Sequence, residues 1–208
     1  MAADAPMPDT ARSLTLLPGA LSFVPAGWRL QTLLGSCVSV VVWQPRLRLG
    51  GMCHFLLPER VGHRRAGPDG RFAPDALAML EQQMHASGLD TWHFVAHVAG
   101  GAHCLARRTG QDDATLDIGW RNTEAALQWC RHMGMPVLQV AVGGRTSRQV
   151  DFDTSSGEVR IRAGLPIPET GLAPTLPAAA FAMGQLAGPA APAAPAAPPP
   201  ALAAKDLR

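Results

Sequence analysis

The chain has 208 residues, and 47% of them are hydrophobic, enough for one domain with a sizeable core. A net charge of +2, with arginines scattered among acidic residues, offers no basic face for nucleic acid. No run reaches the roughly 18 apolar residues of a membrane helix, so no direct membrane insertion is expected. Met1 to Asp9 lacks the basic segment and apolar core of a secretory signal, so the four cysteines are expected as thiols in a cytoplasm.

In chain order, residues 1–13 read as a flexible N-terminus and 14–165 as the folded domain. Leu14 to Leu17 and Leu21 to Phe23 are predicted strands separated by Pro18-Gly19. Leu30 to Leu34 leads through Gly35 into Val38-Ser39-Val40-Val41-Val42-Trp43, a β-branched run that reads as a buried strand. Gln44-Pro45 ends it, and the short spacer before Leu49 to Leu57 predicts an antiparallel hairpin.

Arg60 to Phe72 reads as a loop, and its cluster Arg60, His63, Arg64, Arg65 and Arg71 as a solvated surface. Leu77, Leu80 and Met84, stopped by Gly88, predict an amphipathic helix from Asp75. Trp92 to Ala99 is a predicted strand running into Gly100-Gly101. Asn122 is a plausible N-cap for a second helix through Ala125, Ala126, Trp129 and Met133, ended by Gly134. Val137 to Val142 is the next strand, and Gln149 to Phe152 with Glu158 to Arg162 forms a final hairpin. Residues 166–208 become rich in Ala and Pro, with few bulky side chains, and read as a disordered tail. Strands outnumber helices and short turns join many of them, so the fold class is α+β: packed mixed or antiparallel sheets flanked by two or three helices.

The chemistry-bearing pair is Cys37, in Gly35-Ser36-Cys37-Val38, and His54, seventeen residues later in Gly51-Met52-Cys53-His54-Phe55. A thiol requires a base or a cationic neighbour to become a reactive thiolate, and an imidazole supplies this near neutral pH. Hairpin pairing would lay His54 near the start of the strand where Cys37 stands. Backbone N–H groups around Ser36 and Cys37 are the expected oxyanion donors, because Gly35 permits a tight approach.

Gly100 and Gly101 suit either a turn or the lining of a substrate cleft. Arg121 and Asn122 are further candidates for substrate contact. A zinc site from Cys53, His97, His103 and Cys104 lacks close-spaced ligand pairs, so no metal is expected. No Gly-Lys-Ser/Thr follows the paired glycines, so no nucleotide or other cofactor is expected.

Thr32-Leu33-Leu34-Gly35-Ser36-Cys37-Val38 and Gly51-Met52-Cys53-His54-Phe55-Leu56-Leu57-Pro58 resemble the chemoreceptor glutamine deamidases called CheD. Gly100-Gly101-Ala102, Ile118 to Ala126, and Gly143-Gly144-Arg145 through Arg148 to Phe152 continue that resemblance in order. It implies a protein-glutamine glutaminase in which Cys37 is the nucleophile and His54 the general base and acid. An upstream threonine, here Thr32, would be the third member that fixes the imidazole. It also implies a fold shared with bacterial toxin cysteine deamidases, and methyl-accepting chemotaxis receptors as partners. Docking on a CheC-like phosphatase, as a regulatory binding module, is the alternative it permits.

Overall fold

Four valines and a serine between residues 38 and 42 shape the middle of the molecule, because a β-branched run is most stable as a strand covered on both faces. The computed structural model describes residues 12–60, 67–103 and 117–167. Its strands are β1 (Arg12–Thr15), β2 (Leu21–Pro25), β3 (Trp28–Leu34), β4 (Val38–Gln44), β5 (Leu49–Phe55), β6 (Val95–Gly100), β7 (Val137–Val142), β8 (Thr146–Asp153) and β9 (Val159–Pro166). Helix α1 (Ala73–Ala86) follows β5, and helix α2 (Ile118–His132) precedes β7.

The strands form two mixed sheets, one in the order β1-β3-β8-β9 and the other β2-β5-β4-β6-β7. Most neighbours are antiparallel; β1 with β3 and β6 with β7 are parallel. Strand alternation then sorts the side chains into two cores. Val38, Val40 and Val42 of β4, with Cys53 and Phe55 of β5, pack with Leu77, Leu80 and Met84 of α1 and Ala126 and Cys130 of α2. Val41 and Met52, on the opposite face, join Leu30, Leu34, Val150 and Phe152 of the first sheet. The expected α+β class is thus realised as helices, sheet and second sheet in layers.

Element limits differ from expectation at the helix caps and before β6. Helix α1 begins at Ala73, with Pro74 in its first turn, where a missing N–H is tolerated. Trp92 lies in a 3-10 turn, Thr91–His93, rather than in a strand, and its ring stacks on His93. Helix α2 begins four residues before Asn122. Its cap is Asp117, whose carboxylate accepts the Trp120 N–H at 3.0 Å. Arg12 and Ser13 of the expected N-terminus belong to β1 and Pro166 of the expected tail ends β9, while residues 1–11 and 168–208, the cluster His63 to Arg65, and Cys104 lie outside the described residues.

Candidate active site

Gly35-Ser36-Cys37 is the crossing from β3 in one sheet to β4 in the other, so the segment enters the gap between sheets by necessity of topology. All three of its carbonyls are captured. Gly35 O accepts from Ala102 N–H at 2.8 Å, and Cys37 O accepts from Gly101 N–H at 2.8 Å. Ser36 O accepts from Asn122 Nδ2 at 3.0 Å. In a trans peptide the N–H points opposite to the C=O, so the Ser36 and Cys37 N–H groups are directed away from Ala102 and Asn122. The Cys37 side chain is half-buried and packs against the inter-sheet cluster.

His54 lies on β5 directly opposite Ser39 of β4. Cys37 precedes Ser39 by two residues, so alternation puts Cys37 and His54 on one face as diagonal neighbours, a relation that spaces Cα atoms by roughly 7–8 Å. That face is the inter-sheet one, since Met52 and Val41 share it. The imidazole is 1% exposed.

Thr32 of β3 meets the imidazole from the first sheet, with Oγ1 at 2.8 Å from His54 Nδ1. The same hydroxyl donates its only proton to Leu16 O, also at 2.8 Å. It can therefore only accept from the imidazole, which requires the proton of neutral His54 to sit on Nδ1 and leaves the Nε2 lone pair as the basic site. Burial lowers the His54 pKa from the ordinary 6.5, opposed by the nearby Leu16 carbonyl, so the neutral base is favoured. Nε2 has no hydrogen-bond partner among the described residues, and neither does the facing Ser39 Oγ. Gln31 points to the outer face, where its amide donates to Asp151.

Gly100 and Gly101 stand behind the cysteine. A Cβ on Gly100, whose φ is +112°, would fall 2.1 Å from Cys37 O, so only glycine admits the loop so close. The Gly101 N–H is committed to Cys37 O. Arg148, whose backbone pairs with Leu34, donates to Gly100 O at 3.3 Å and ties the glycine turn to β8.

The other candidates separate in space. Cys53 faces the helices, and its thiol is pushed up to about 12 by burial. His97 pairs with Val41, which faces the other sheet, so Cys53 and His97 cannot share a metal ion. His103 Nδ1 meets the Asp117 carboxylate at the start of α2. Arg121 is paired with Glu59 at 2.5 Å. Asn122 is not the cap but a buried residue inside α2. Its recurrence with Gly119, Thr123, Ala126 and Cys130 on one helical stripe is the sequence signal that places it inside.

Fold and site together define an α+β protein built around a thiol–imidazole–hydroxyl constellation between two sheets. Residues 56–163, just over half of the chain, match the family model described as CheD chemotactic sensory transduction. The chain belongs to the CheD family. It is 35% identical over 157 residues to the probable chemoreceptor glutamine deamidase CheD 1 of Chromobacterium violaceum, covering 76% of this chain and 80% of that protein. It is 38% identical over 152 residues to the probable chemoreceptor glutamine deamidase CheD 3 of Dechloromonas aromatica, covering 73% and 88%. Among solved structures, the Bacillus licheniformis hypothetical protein YfiH aligns with a TM-score of 0.36 at 15% identity, over 60% of this chain and 49% of that one, a likeness too loose to inform the chemistry. The family-model match begins after Cys37 and His54, so the case for these two rests on their placement.

Proposed function

We propose that the chain is a protein-glutamine glutaminase that converts glutamines of methyl-accepting chemotaxis receptors to glutamates in the cytoplasm, as part of chemotactic adaptation. The relatives' names support the activity and the substrate class. The observation that carries the chemistry is the buried imidazole whose Nδ1 is held by Thr32 while Nε2 is left for proton transfer.

The Cys37 thiol gives its proton to His54 Nε2, and the thiolate attacks the carboxamide carbon of the bound glutamine. The tetrahedral oxyanion is met by the backbone N–H groups of Ser36 and Cys37, oriented by their captured carbonyls. The imidazolium returns its proton to the departing nitrogen as the C–N bond breaks, leaving ammonia and a thioester. A water then loses a proton to Nε2 and attacks the thioester, and the glutamate departs as Cys37 recovers its proton. Thr32 keeps the ring in one tautomer through both steps. Gly35, Gly100 and Gly101 shape the loop without donating to substrate. Among the described residues no helix is long and apolar enough to cross a membrane.

The test is mass spectrometry of receptor cytoplasmic fragments incubated with the protein. Each converted glutamine should gain about one mass unit, as expected for amide hydrolysis, with no chain cleavage. Cleaved fragments, or unchanged glutamines with a fully folded enzyme, would remove this reading.

A further inference from the structure

We propose that Asn122 is a positioning residue that sets the placement of Cys37 relative to His54; this rests on the reading that those two residues form the reactive pair. Asn122 is fully buried on the face of α2 that covers the second sheet. Its Nδ2 donates both hydrogens, one to Ser36 O at 3.0 Å and one to Leu56 O at 2.7 Å. Ser36 is the residue before the thiol, and Leu56 is two residues beyond the imidazole, at the end of β5. One planar NH₂ group therefore ties the two reactive segments to each other.

The direction of the amide is fixed by chemistry. Both contacts are carbonyl oxygens, which only accept, so a flipped amide would set oxygen against oxygen. The Oδ1 atom is buried and has no partner among the described residues. A buried, unsatisfied oxygen opposes folding, and an apolar side chain would avoid it. What the position gains from asparagine is thus the pair of donors.

The helix is built to bring those donors in. Gly119 lies one turn earlier on the same face, and a Cβ there would fall 2.6 Å from Gly101 O. Its absence lets α2 press against Gly101-Ala102, the segment that captures Gly35 O and Cys37 O. The cysteine loop is thereby gripped from β6 on one side and from α2 on the other. Misplacement of a reacting group by about 1 Å can cost on the order of 10²-fold in rate.

Three variants, Asn122→Asp, Asn122→Ala and Ala126→Gly, are compared with wild type and Cys37→Ala. The readouts are ammonia release from a receptor fragment, the unfolding midpoint, and the pH dependence of Cys37 alkylation by iodoacetamide. Ala126→Gly loosens the same buried helix face and should lower the midpoint while leaving kcat and the alkylation profile in place. Asn122→Asp keeps the size but presents carboxylate oxygens to the two carbonyls. Both Asn122 variants should lower kcat about 10²-fold with KM within a few-fold, and move the alkylation profile toward that of an ordinary thiol near pH 8.5. A folded Asn122 variant with wild-type turnover, or one whose activity falls while the alkylation profile stays fixed, would overturn the positioning role. Full activity in Cys37→Ala would instead overturn the functional reading beneath it.

Discussion

Replacing Thr32 with valine removes one hydroxyl from a residue that is 2% exposed and keeps the side-chain volume almost unchanged. Two groups lose their partner: Leu16 O, which accepted the hydroxyl proton, and His54 Nδ1–H, which the hydroxyl oxygen accepted. A buried polar group left unsatisfied costs about 1–3 kcal/mol. With the hydroxyl gone the ring can shift and recover part of this, so the expected loss lies near the low end of the summed range, about 2–3 kcal/mol. Catalysis should suffer more than stability. With Thr32 gone, the tautomer and ring angle are no longer fixed, and much of the roughly 10²–10⁴-fold from general acid–base help is exposed to loss. Thr32→Ser keeps the hydroxyl and forgoes a methyl worth about 0.8 kcal/mol, so its turnover should stay near wild type. Ammonia release and thermal unfolding would be measured for both. Wild-type turnover in a folded Thr32→Val variant, or equal inactivity in valine and serine variants, would refute the tautomer argument.

Acidification should destabilise the protein from about pH 6.5 downward, because burial lowers the pKa of both His54 and His97 below the 6.5 of the unfolded chain. In that window the unfolded state binds more protons, so stability rises with pH and is lost as pH falls toward the native pKa values. The unfolding midpoint should drop between about pH 7.5 and pH 5, a range above the carboxylate transitions, and His97→Gln should reduce the drop; an equal drop in that variant would exclude His97 as a source. Gly100→Ala places a methyl 2.1 Å from Cys37 O at a φ of +112°, and should lower both the unfolding midpoint and the rate of Cys37 alkylation. Unchanged alkylation would mean that the loop does not depend on Gly100.

Local pattern carried much of the architecture. The valine run of β4 and the short connection to β5 were sufficient to predict a hairpin that puts His54 near Cys37, because strand pairing and alternation are set by residues close in sequence. That β3 and β4 lie in different sheets was not legible, since Gly35-Ser36 reads equally well as a tight turn within one sheet. The contact of Thr32 with the imidazole depends on that crossing, and its hydroxyl bond on Leu16, sixteen residues away. Asn122 was obscured for a different reason. Asparagine is a strong helix cap by itself, and Gly119 weakens the helical signal before it, so local pattern favours a cap at Asn122 over the true one at Asp117. Its two hydrogen bonds reach back 86 and 66 residues, which no local periodicity records.

The most direct test of the central claim is ammonia release and glutamine-to-glutamate conversion on a receptor fragment by wild type and Cys37→Ala, at equal concentrations of folded protein. Cys37 is half-buried on a loop whose three carbonyls are held by backbone N–H groups and Asn122, so the variant should fold with an unfolding midpoint close to that of wild type. Wild type should convert glutamine with one ammonia per event, and the variant should convert none. Conversion by Cys37→Ala at the wild-type rate would contradict the thioester route and remove Cys37 from the chemistry.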